Sequence, residues 1–266
     1  MYRLLIISND AKVEAMFTAM HGWETMGFRV PRLRKTAEEA IACMEKHHTH
    51  AIAVDSDPSL MSIYAYLDEH YPAVPIFQIE DDASKQFATI KDVYRLLQQI
   101  HADDSNDDYD ENYYFKQAQE RWMKQLMAGM VPSAKQVVTY HRMLRCKEEL
   151  CGRCLYVKLE VPAGDEFLLG RWRYGSERLE IALRNFFGEE REHMTLHLAV
   201  LSPEEVRVLV CPKAKEEKVE LAADRLTAFI EETIEQIKNY LGLSMNIVSA
   251  WQMDGLTAFA ADRQQV

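Results

Sequence analysis

Residues 2–8 read Tyr-Arg-Leu-Leu-Ile-Ile-Ser, a short apolar run that ends in a polar residue. Such a run is typical of a strand that is buried on both faces of a parallel sheet. Similar runs at Ala51–Val54 and Val74–Ile79 predict two more strands, and helical patterns separate them. Strands that alternate with helices at this spacing predict a doubly wound α/β domain, of the flavodoxin-like kind, over residues 1–101.

Two further elements of this domain are predicted from weaker patterns. A second strand is expected at Phe28–Val30, directly after Gly27, and a last helix is expected at Asp92–Ile100. The short spacing between Ile79 and that helix leaves no room for a fifth strand.

A strongly acidic stretch follows the first domain. Residues 102–114 read Ala-Asp-Asp-Ser-Asn-Asp-Asp-Tyr-Asp-Glu-Asn-Tyr-Tyr, and they have few apolar side chains to bury. Mutual repulsion between the carboxylates favours a solvated linker here.

The order of elements changes after the linker. Two helices come first, and the pattern then predicts strand, helix, two strands, a long helix with Val219 in its apolar stripe, and a last strand at Met245–Ala250. This β-α-β-β-α-β order predicts a ferredoxin-like α+β domain preceded by a helical hairpin, over residues 115–252, with a tail at 253–266.

Charge and composition exclude several classes of protein. The chain has 31 Lys and Arg against 42 Asp and Glu, a net charge of −11, so we expect no nucleic-acid binding by this chain alone. No apolar run is long enough to cross a membrane, and the amino terminus lacks the pattern of a signal peptide. We therefore expect no membrane contact and a cytoplasmic location.

Polar residues follow the predicted strands of the first domain, where the active groups of open α/β sheets lie. Ser8, Asn9 and Asp10 follow the first strand, Asp55 the third and Glu80 the fourth. This arrangement resembles the receiver domain of response regulators. The segment Gly22-Trp-Glu-Thr-Met-Gly-Phe28 is similar to the Trp-x-x-x-Gly-Phe segment of YesN-type regulators of the AraC family.

The resemblance implies roles for these residues. Asp55 stands at the phosphoacceptor position, and Asp10 with Asp55 could hold Mg²⁺, which prefers carboxylate oxygens. Ser8 and Asn9 replace the acidic pair of the family, and Glu80 replaces its Ser or Thr. The family's Lys-Pro pair has no counterpart. These replacements predict a degenerate receiver in which Asp55 is not phosphorylated.

The second domain carries a sequence that differs by one residue from the GGDEF motif of diguanylate cyclases. It is Ala163-Gly-Asp-Glu-Phe167, but it follows the first strand of the domain, whereas the motif belongs on the later hairpin. That hairpin reads Ser202-Pro203-Glu204-Glu205-Val206 and lacks the glycines that allow backbone to approach a triphosphate. The domain thus resembles a degenerate GGDEF-like middle domain, which implies that the chain is not an enzyme.

The cysteine and histidine patterns each leave two interpretations. Cys146, Cys151 and Cys154, with Cys211 further on, have the spacing of an iron–sulfur site, but buried free cysteines are the preferred interpretation. The three histidines within His47–His50 are expected in a solvated loop rather than at a metal.

The resemblance implies the regulatory portion of a two-component response regulator that controls transcription. It would act by protein–protein contact, as a homodimer and with a sensor histidine kinase. DNA binding would come from a carboxyl-terminal AraC-type module that this chain lacks, and no cofactor other than Mg²⁺ is implied. Two alternatives stay open: a divergent cyclase-like nucleotide-binding protein, and a stand-alone signalling interaction module.

Overall fold

A computed structural model describes residues 1–101, 110–191, 193–214 and 222–262. The chain forms two compact units: one comprises Met1–Gln119 and Thr139–Cys146, and the other comprises Glu120–Val138 and Lys147–Val266. Most of the predicted linker, residues 102–109, lies outside the described residues, and its last residues begin a helix at Glu111. That helix and the next one each contribute residues to both units: α5 (Glu111–Met127) and α6 (Ala134–Met143).

The first unit is built on a parallel sheet of four strands in the order β2-β1-β3-β4. Helices connect the strands, as alternating sequence patterns predict. The elements run in chain order: β1 (Leu4–Ile7), α1 (Ala11–Ala19), β2 (Arg32–Arg34), α2 (Ala37–Lys46), β3 (Ala51–Val54), a 3₁₀ turn (Pro58–Leu60), α3 (Ser62–His70), β4 (Ile76–Gln78) and α4 (Ala83–Ile100).

The central strands β1 and β3 are buried on both faces. Leu5, Ile7 and Ile52 belong to a core with apolar residues of α2 and α3. Leu4 and Ile6 point to the opposite face, because side chains alternate along a strand, and they are also buried. The continuous apolar runs that predicted these strands are thus explained.

The predicted position of the second strand was wrong. The structure places β2 at Arg32–Arg34, where it pairs with β1, and Phe28 makes only an isolated bridge to Tyr2. The chain turns at Gly27, whose φ of 81° suits glycine, and the fully buried Phe28 ring fills the core. The ladder begins only after Pro31, which has no N–H to donate.

The helix predicted at Asp92–Ile100, α4, is twice as long as predicted. It begins at Ala83 rather than Asp92, because the Asp82 carboxylate accepts hydrogen bonds from the backbone N–H groups of Ser84 and Lys85. Gln86 is buried in the first turns of α4. Because Gln86 is polar, it interrupts the apolar pattern from which a helix is predicted. In the described part of the chain no fifth strand joins this sheet.

The second unit contains an antiparallel sheet of five strands in the order β6-β7-β8-β5-β9. Residue Val219 of the predicted long helix lies outside the described residues. The elements after α6 are β5 (Arg153–Glu160), α7 (Gly164–Glu166), a π-helical turn (Phe167–Arg171), α8 (Gly175–Phe187), β6 (Glu190–Arg191), β7 (Met194–Ser202), β8 (Glu205–Pro212), α9 (Ala223–Leu241), β9 (Asn246–Asp254) and a 3₁₀ turn (Leu256–Phe259).

One face of this sheet packs on α8 and α9 around a large apolar core. Alternate residues of β5, β7 and β8 contribute to this core, among them Val157, Leu198 and Val208. The last strand extends four residues beyond its predicted end, to Asp254, and Leu256 and Phe259 of the predicted tail are buried.

Candidate functional site at the carboxyl ends of the parallel strands

Ser8 and Asp55 meet where β1 and β3 end. The parallel ladder fixes both backbones, since the N–H of Asp55 donates to the carbonyl of Ile7 at 2.9 Å. The Ser8 hydroxyl donates to Asp55 Oδ2 at 2.5 Å, and the backbone N–H of Ser56 donates to Asp55 Oδ1 at 2.7 Å. Ser8 is buried, whereas Asp55 is half-buried. Two neutral donors therefore hold the carboxylate at the edge of the sheet.

Asn9 and Asp10 have different partners. The Asp10 carboxylate caps α1 by accepting from the backbone N–H of Lys12 at 2.8 Å, while its own N–H donates to Ser8 Oγ at 3.1 Å. The Asn9 amide donates to Asp57 Oδ2 at 2.7 Å. The predicted residues Ser8, Asp10 and Asp55 are thus linked through Ser8, and Asn9 reaches a carboxylate that the sequence patterns did not single out.

Asp57 is the residue at this edge that sequence reasoning missed. It caps the 3₁₀ turn by accepting from the backbone N–H of Ser59 at 2.8 Å. Hydrogen bonds from the Ser59 backbone, the Ser59 side chain and Asn9 lower the pKa of Asp57. An Asp directly before a Pro that opens a helical turn is a recognisable capping signal, so the pattern Asp57-Pro58 could have identified it.

Glu80 lies beyond the end of β4 and is half-buried. Its backbone N–H donates to Gln86 Oε1 at 2.8 Å, and the Gln86 side chain is fully buried at the start of α4. The side chain of Gln78, at the end of the same strand, is hydrogen-bonded to Ser56, which follows Asp55. Hydrogen bonds therefore link polar residues at the ends of β1, β3 and β4, from Ser8 through Asp55 and Ser56 to Gln78.

A metal site needs several ligands around one point. Across the described ranges, no three His, Cys, Asp or Glu side chains lie close enough together to hold a metal ion. Mg²⁺ is often bound by one or two protein carboxylates, with water completing the shell. Binding at Asp10 and Asp55 therefore stays a prediction, and both carboxylates already accept backbone hydrogen bonds.

The turn of the hairpin between β7 and β8 packs against other backbone of the same chain. Ser202 pairs with Glu205, so Pro203 and Glu204 form the turn, and Val206 is buried. The backbone N–H of Val161 donates to the carbonyl of Glu204 at 2.8 Å.

Gly164, within the GGDEF-like string, lies directly against this turn. A Cβ atom at Gly164 would be 1.9 Å from the carbonyl oxygen of Pro203. Phe167, at the end of the string, is buried in the core. The GGDEF-like string therefore has a packing role at this hairpin.

The Glu205 side chain is held by two cations. Arg207 Nε donates to Glu205 Oε1 at 2.7 Å, and Lys158 Nζ lies 3.2 Å from Oε2. Desolvation, the largest single effect, raises the pKa of Glu205, but the hydrogen bonds from Arg207 and Lys158 together outweigh it and lower the pKa. Glu205 is therefore occupied in a surface ion-pair network.

A charged network on α8 gave no signal in the sequence. Glu180, only 8% exposed, accepts from Lys124 Nζ at 2.7 Å, from Arg184 Nη2 at 2.6 Å and from the backbone N–H of Val200 at 2.9 Å. Arg184 in turn donates to the carbonyl of Leu198 at 3.4 Å. These bonds satisfy the outer edge of β7, which is a structural role. Glu180 and Arg184 are four residues apart on α8, but no short-range pattern connects this pair to Lys124 or Val200.

The cysteines and histidines have structural surroundings. Cys43, Cys154 and Cys211 are buried, but Cys151 is exposed, so the expectation of a buried side chain is wrong at Cys151. His197 Nε2 lies 2.7 Å from Oε1 of the buried Glu148.

The histidine run is not a simple solvated loop. The Nδ1 atom of His50 accepts from the backbone N–H of Arg3 at 3.1 Å, and the His50 ring contacts those of His48 and His101, with centroids 4.4 and 5.4 Å apart. Burial is the main cause that lowers the pKa of His50 to about 3, and neighbouring positive charges add to it. His50 is therefore neutral at pH 7.

No helix in the described residues combines the length and the apolar character needed to cross a membrane. No protein-family model matches the chain, and no curated protein matches it at a significant level.

Proposed function

We propose that this chain is the regulatory portion of a two-component response regulator, and that it acts through protein contacts without catalysis. The observation that carries the proposal is the Asp55 carboxylate, half-buried at the end of β3 and bonded to Ser8. A carboxylate at the carboxyl edge of a parallel sheet lies where open α/β proteins bind or modify their ligands.

The two sheets support this proposal at the level of topology. The order β2-β1-β3-β4 is that of flavodoxin-like sheets up to the fourth strand. In the second unit, the order β7-β8-β5-β9 along a β-α-β-β-α-β path is consistent with a ferredoxin-like arrangement. These are the folds that the resemblance to YesN-type regulators implies.

The surroundings of Asp55 favour a receiver whose phosphorylation switch is silent. Phosphoryl transfer needs a metal to neutralise charge, and Asp55 oxygens instead accept from Ser8 and Ser56. The hairpin at Pro203 and Glu204 packs on the chain's own backbone, so it offers no approach to a triphosphate. Regulation would then depend on contacts with a second copy or with a sensor kinase.

The first experiment adds beryllofluoride and Mg²⁺, which together mimic the phosphoryl group, to the chain. We expect the fluorescence spectrum and the sedimentation of the wild type to be unchanged and equal to those of Asp55→Asn. A Mg²⁺-dependent shift in the wild type that Asp55→Asn abolishes would show that the switch is active.

The second experiment tests the regulatory role in cells. Deleting the gene should change the transcript levels of a limited set of genes, and the Asp55→Asn gene should restore them as well as the wild type does. Unchanged transcripts after deletion would refute the regulatory proposal. Conversion of GTP to a cyclic dinucleotide by the purified chain would favour the cyclase alternative.

A further inference from the structure

The two sides of the antiparallel sheet differ in how their outer backbone groups are hydrogen-bonded. On one side, β6 pairs with the start of β7, and Glu180 and Arg184 bond the backbone of β7 further along. On the other side, β9 pairs with no strand other than β5 within the described part of the chain, and its Met253 carbonyl also accepts from the Gly255 N–H at 3.1 Å. An open strand edge presents unpaired N–H and C=O groups, so the group that it fits best is another strand.

The sequence of β9 lacks the features that usually protect an edge. Asn246–Asp254 is nine residues long, and it contains no Lys, no Pro and no charge before its last residue. Val248 is 53% exposed and Trp251 43% exposed. Val248 is the extra residue of a bulge, since Ser249 and Ile247 pair with successive residues of β5. The regular part of the edge is therefore Ser249–Asp254.

We propose that β9 is the surface through which two copies of this chain associate, by antiparallel pairing of β9 strands about a two-fold axis at Trp251. In this register Ala250 faces Gln252 of the second copy, and the two Trp251 rings meet at the axis. Trp251 already stacks on Tyr156, with ring centroids 5.9 Å apart. Cross-strand aromatic pairs stabilise such contacts.

Charge selects a second copy as the occupant of this edge. The chain carries a net charge of −11, so two copies repel each other over most of their surface. Residues 239–253 form a continuous segment without a charged side chain, and β9 lies within it up to its last residue. A second β9 strand has the same length as this edge and, like it, carries no charge before Asp254. A basic partner would have no carboxylate to pair with along β9 before Asp254. A contact this small predicts a reversible dimer rather than an obligate one.

The experiment measures sedimentation velocity of the full chain from about 1 to about 200 µM, with Trp fluorescence on the same samples. We expect a concentration-dependent dimer in the wild type and a change in Trp251 emission on dilution. Ala250→Lys combined with Gln252→Lys places lysines opposite each other and should raise the dissociation constant at least roughly tenfold. Ala250→Lys combined with Gln252→Glu places opposite charges together and should restore the dimer.

The control is Leu169→Lys combined with Ile181→Lys, which adds the same charge at exposed positions that are not part of β9. This variant should dimerise like the wild type, and circular dichroism of each variant checks that it folds. A wild type that stays monomeric, a dimer that the double-lysine β9 variant retains, or equal loss in the control would each overturn the proposal. The inference depends only on the second unit, so its failure would leave the proposal for Asp55 standing.

Discussion

Asp55 in the first unit and Glu180 in the second are both hydrogen-bonded carboxylates, but the charge of their partners differs. Glu180 is buried and accepts from Lys124, from Arg184 and from a backbone amide. Asp55 is half-buried, and its bonds come from a hydroxyl and a backbone amide, with no cationic side chain bonded to it among the described residues. A buried carboxylate paired with cations is costly to disturb, whereas one held by neutral donors can exchange them. Glu180 is therefore held in place by ion pairs, whereas Asp55 is held only by neutral donors that solvent can replace.

The largest expected effect is at Glu180. Glu180→Ala leaves the Val200 N–H without its acceptor and removes the partner of two cations, so we expect the free energy of unfolding to fall by about 3 kcal/mol. Urea denaturation of the full chain measures it. Glu177→Ala, at an exposed position one turn earlier on α8, is the matched control and should change stability by less than about 0.5 kcal/mol. If Glu180→Ala and Glu177→Ala lowered the free energy of unfolding equally, Glu180 would have no special structural role, and its contrast with Asp55 would fail.

Substitution of Gly164 tests whether the space beside the β7–β8 turn is tightly packed. In Gly164→Ala the new Cβ would meet the Pro203 carbonyl, so the turn must shift, and we expect a loss of about 2 kcal/mol in unfolding free energy. Gly170→Ala is the matched control, because a Cβ there has no heavy atom within 4 Å. If Gly164→Ala unfolds at the same urea concentration as the control, the hairpin has room that a ligand could use.

The sequence predicted the position of Asp55 because an uninterrupted apolar run marks the end of a buried strand. The contact between Ser8 and Asp55 follows, since adjacent parallel strands bring their carboxyl ends together. The roles of Glu180 and Gln86 could not be predicted, because a buried polar residue breaks the apolar pattern of its helix. Two partners of Glu180, Lys124 and the backbone of Val200, also come from distant segments. The length of β9 was missed because the bulge at Val248 interrupts the two-residue alternation in the middle of the strand.

His50 lies just before the amino end of β3, at the other end of this strand from Asp55. Its titration makes the stability of the chain depend on pH. Its pKa of about 3 lies below that of an unfolded histidine, about 6.5, so the folded state favours the neutral ring. Stability is then full above pH 6.5 and is lost as the pH falls from 6.5 toward 3. With allowance for the partial exposure of His50, we expect a loss of roughly 1 kcal/mol between about pH 7.5 and about pH 5. Glu190, whose pKa Lys213 and Lys147 lower from 4.5 to about 2, contributes little there, because both values lie below pH 5.

The variant that isolates this effect is His50→Gln, which keeps an acceptor for the Arg3 N–H but does not titrate. Urea denaturation at the same two pH values should show a smaller pH dependence in His50→Gln than in the wild type. His70→Gln, at an exposed position on α3, should retain the full dependence. A wild-type pH dependence that His50→Gln leaves unchanged would mean that His50 is protonated without cost.

The smallest expected effect is the coupling between Ser8 and Asp55, and it bears most directly on the contrast with Glu180. Ser8→Ala removes the hydroxyl donor, Asp55→Asn removes the charge of the acceptor, and the double variant removes both. A double-mutant cycle in urea isolates their interaction, which we expect to be roughly 0.5 to 1 kcal/mol, because Asp55 is half-buried and solvent can replace the bond. The same cycle on Glu180 and Arg184, which are bonded charges in a buried site, should give a larger value. If the Ser8–Asp55 coupling equalled that of the charged pair, Asp55 would be as firmly fixed as Glu180. The carboxylate would then serve the fold, and the proposal that it faces a ligand or partner would lose its physical basis.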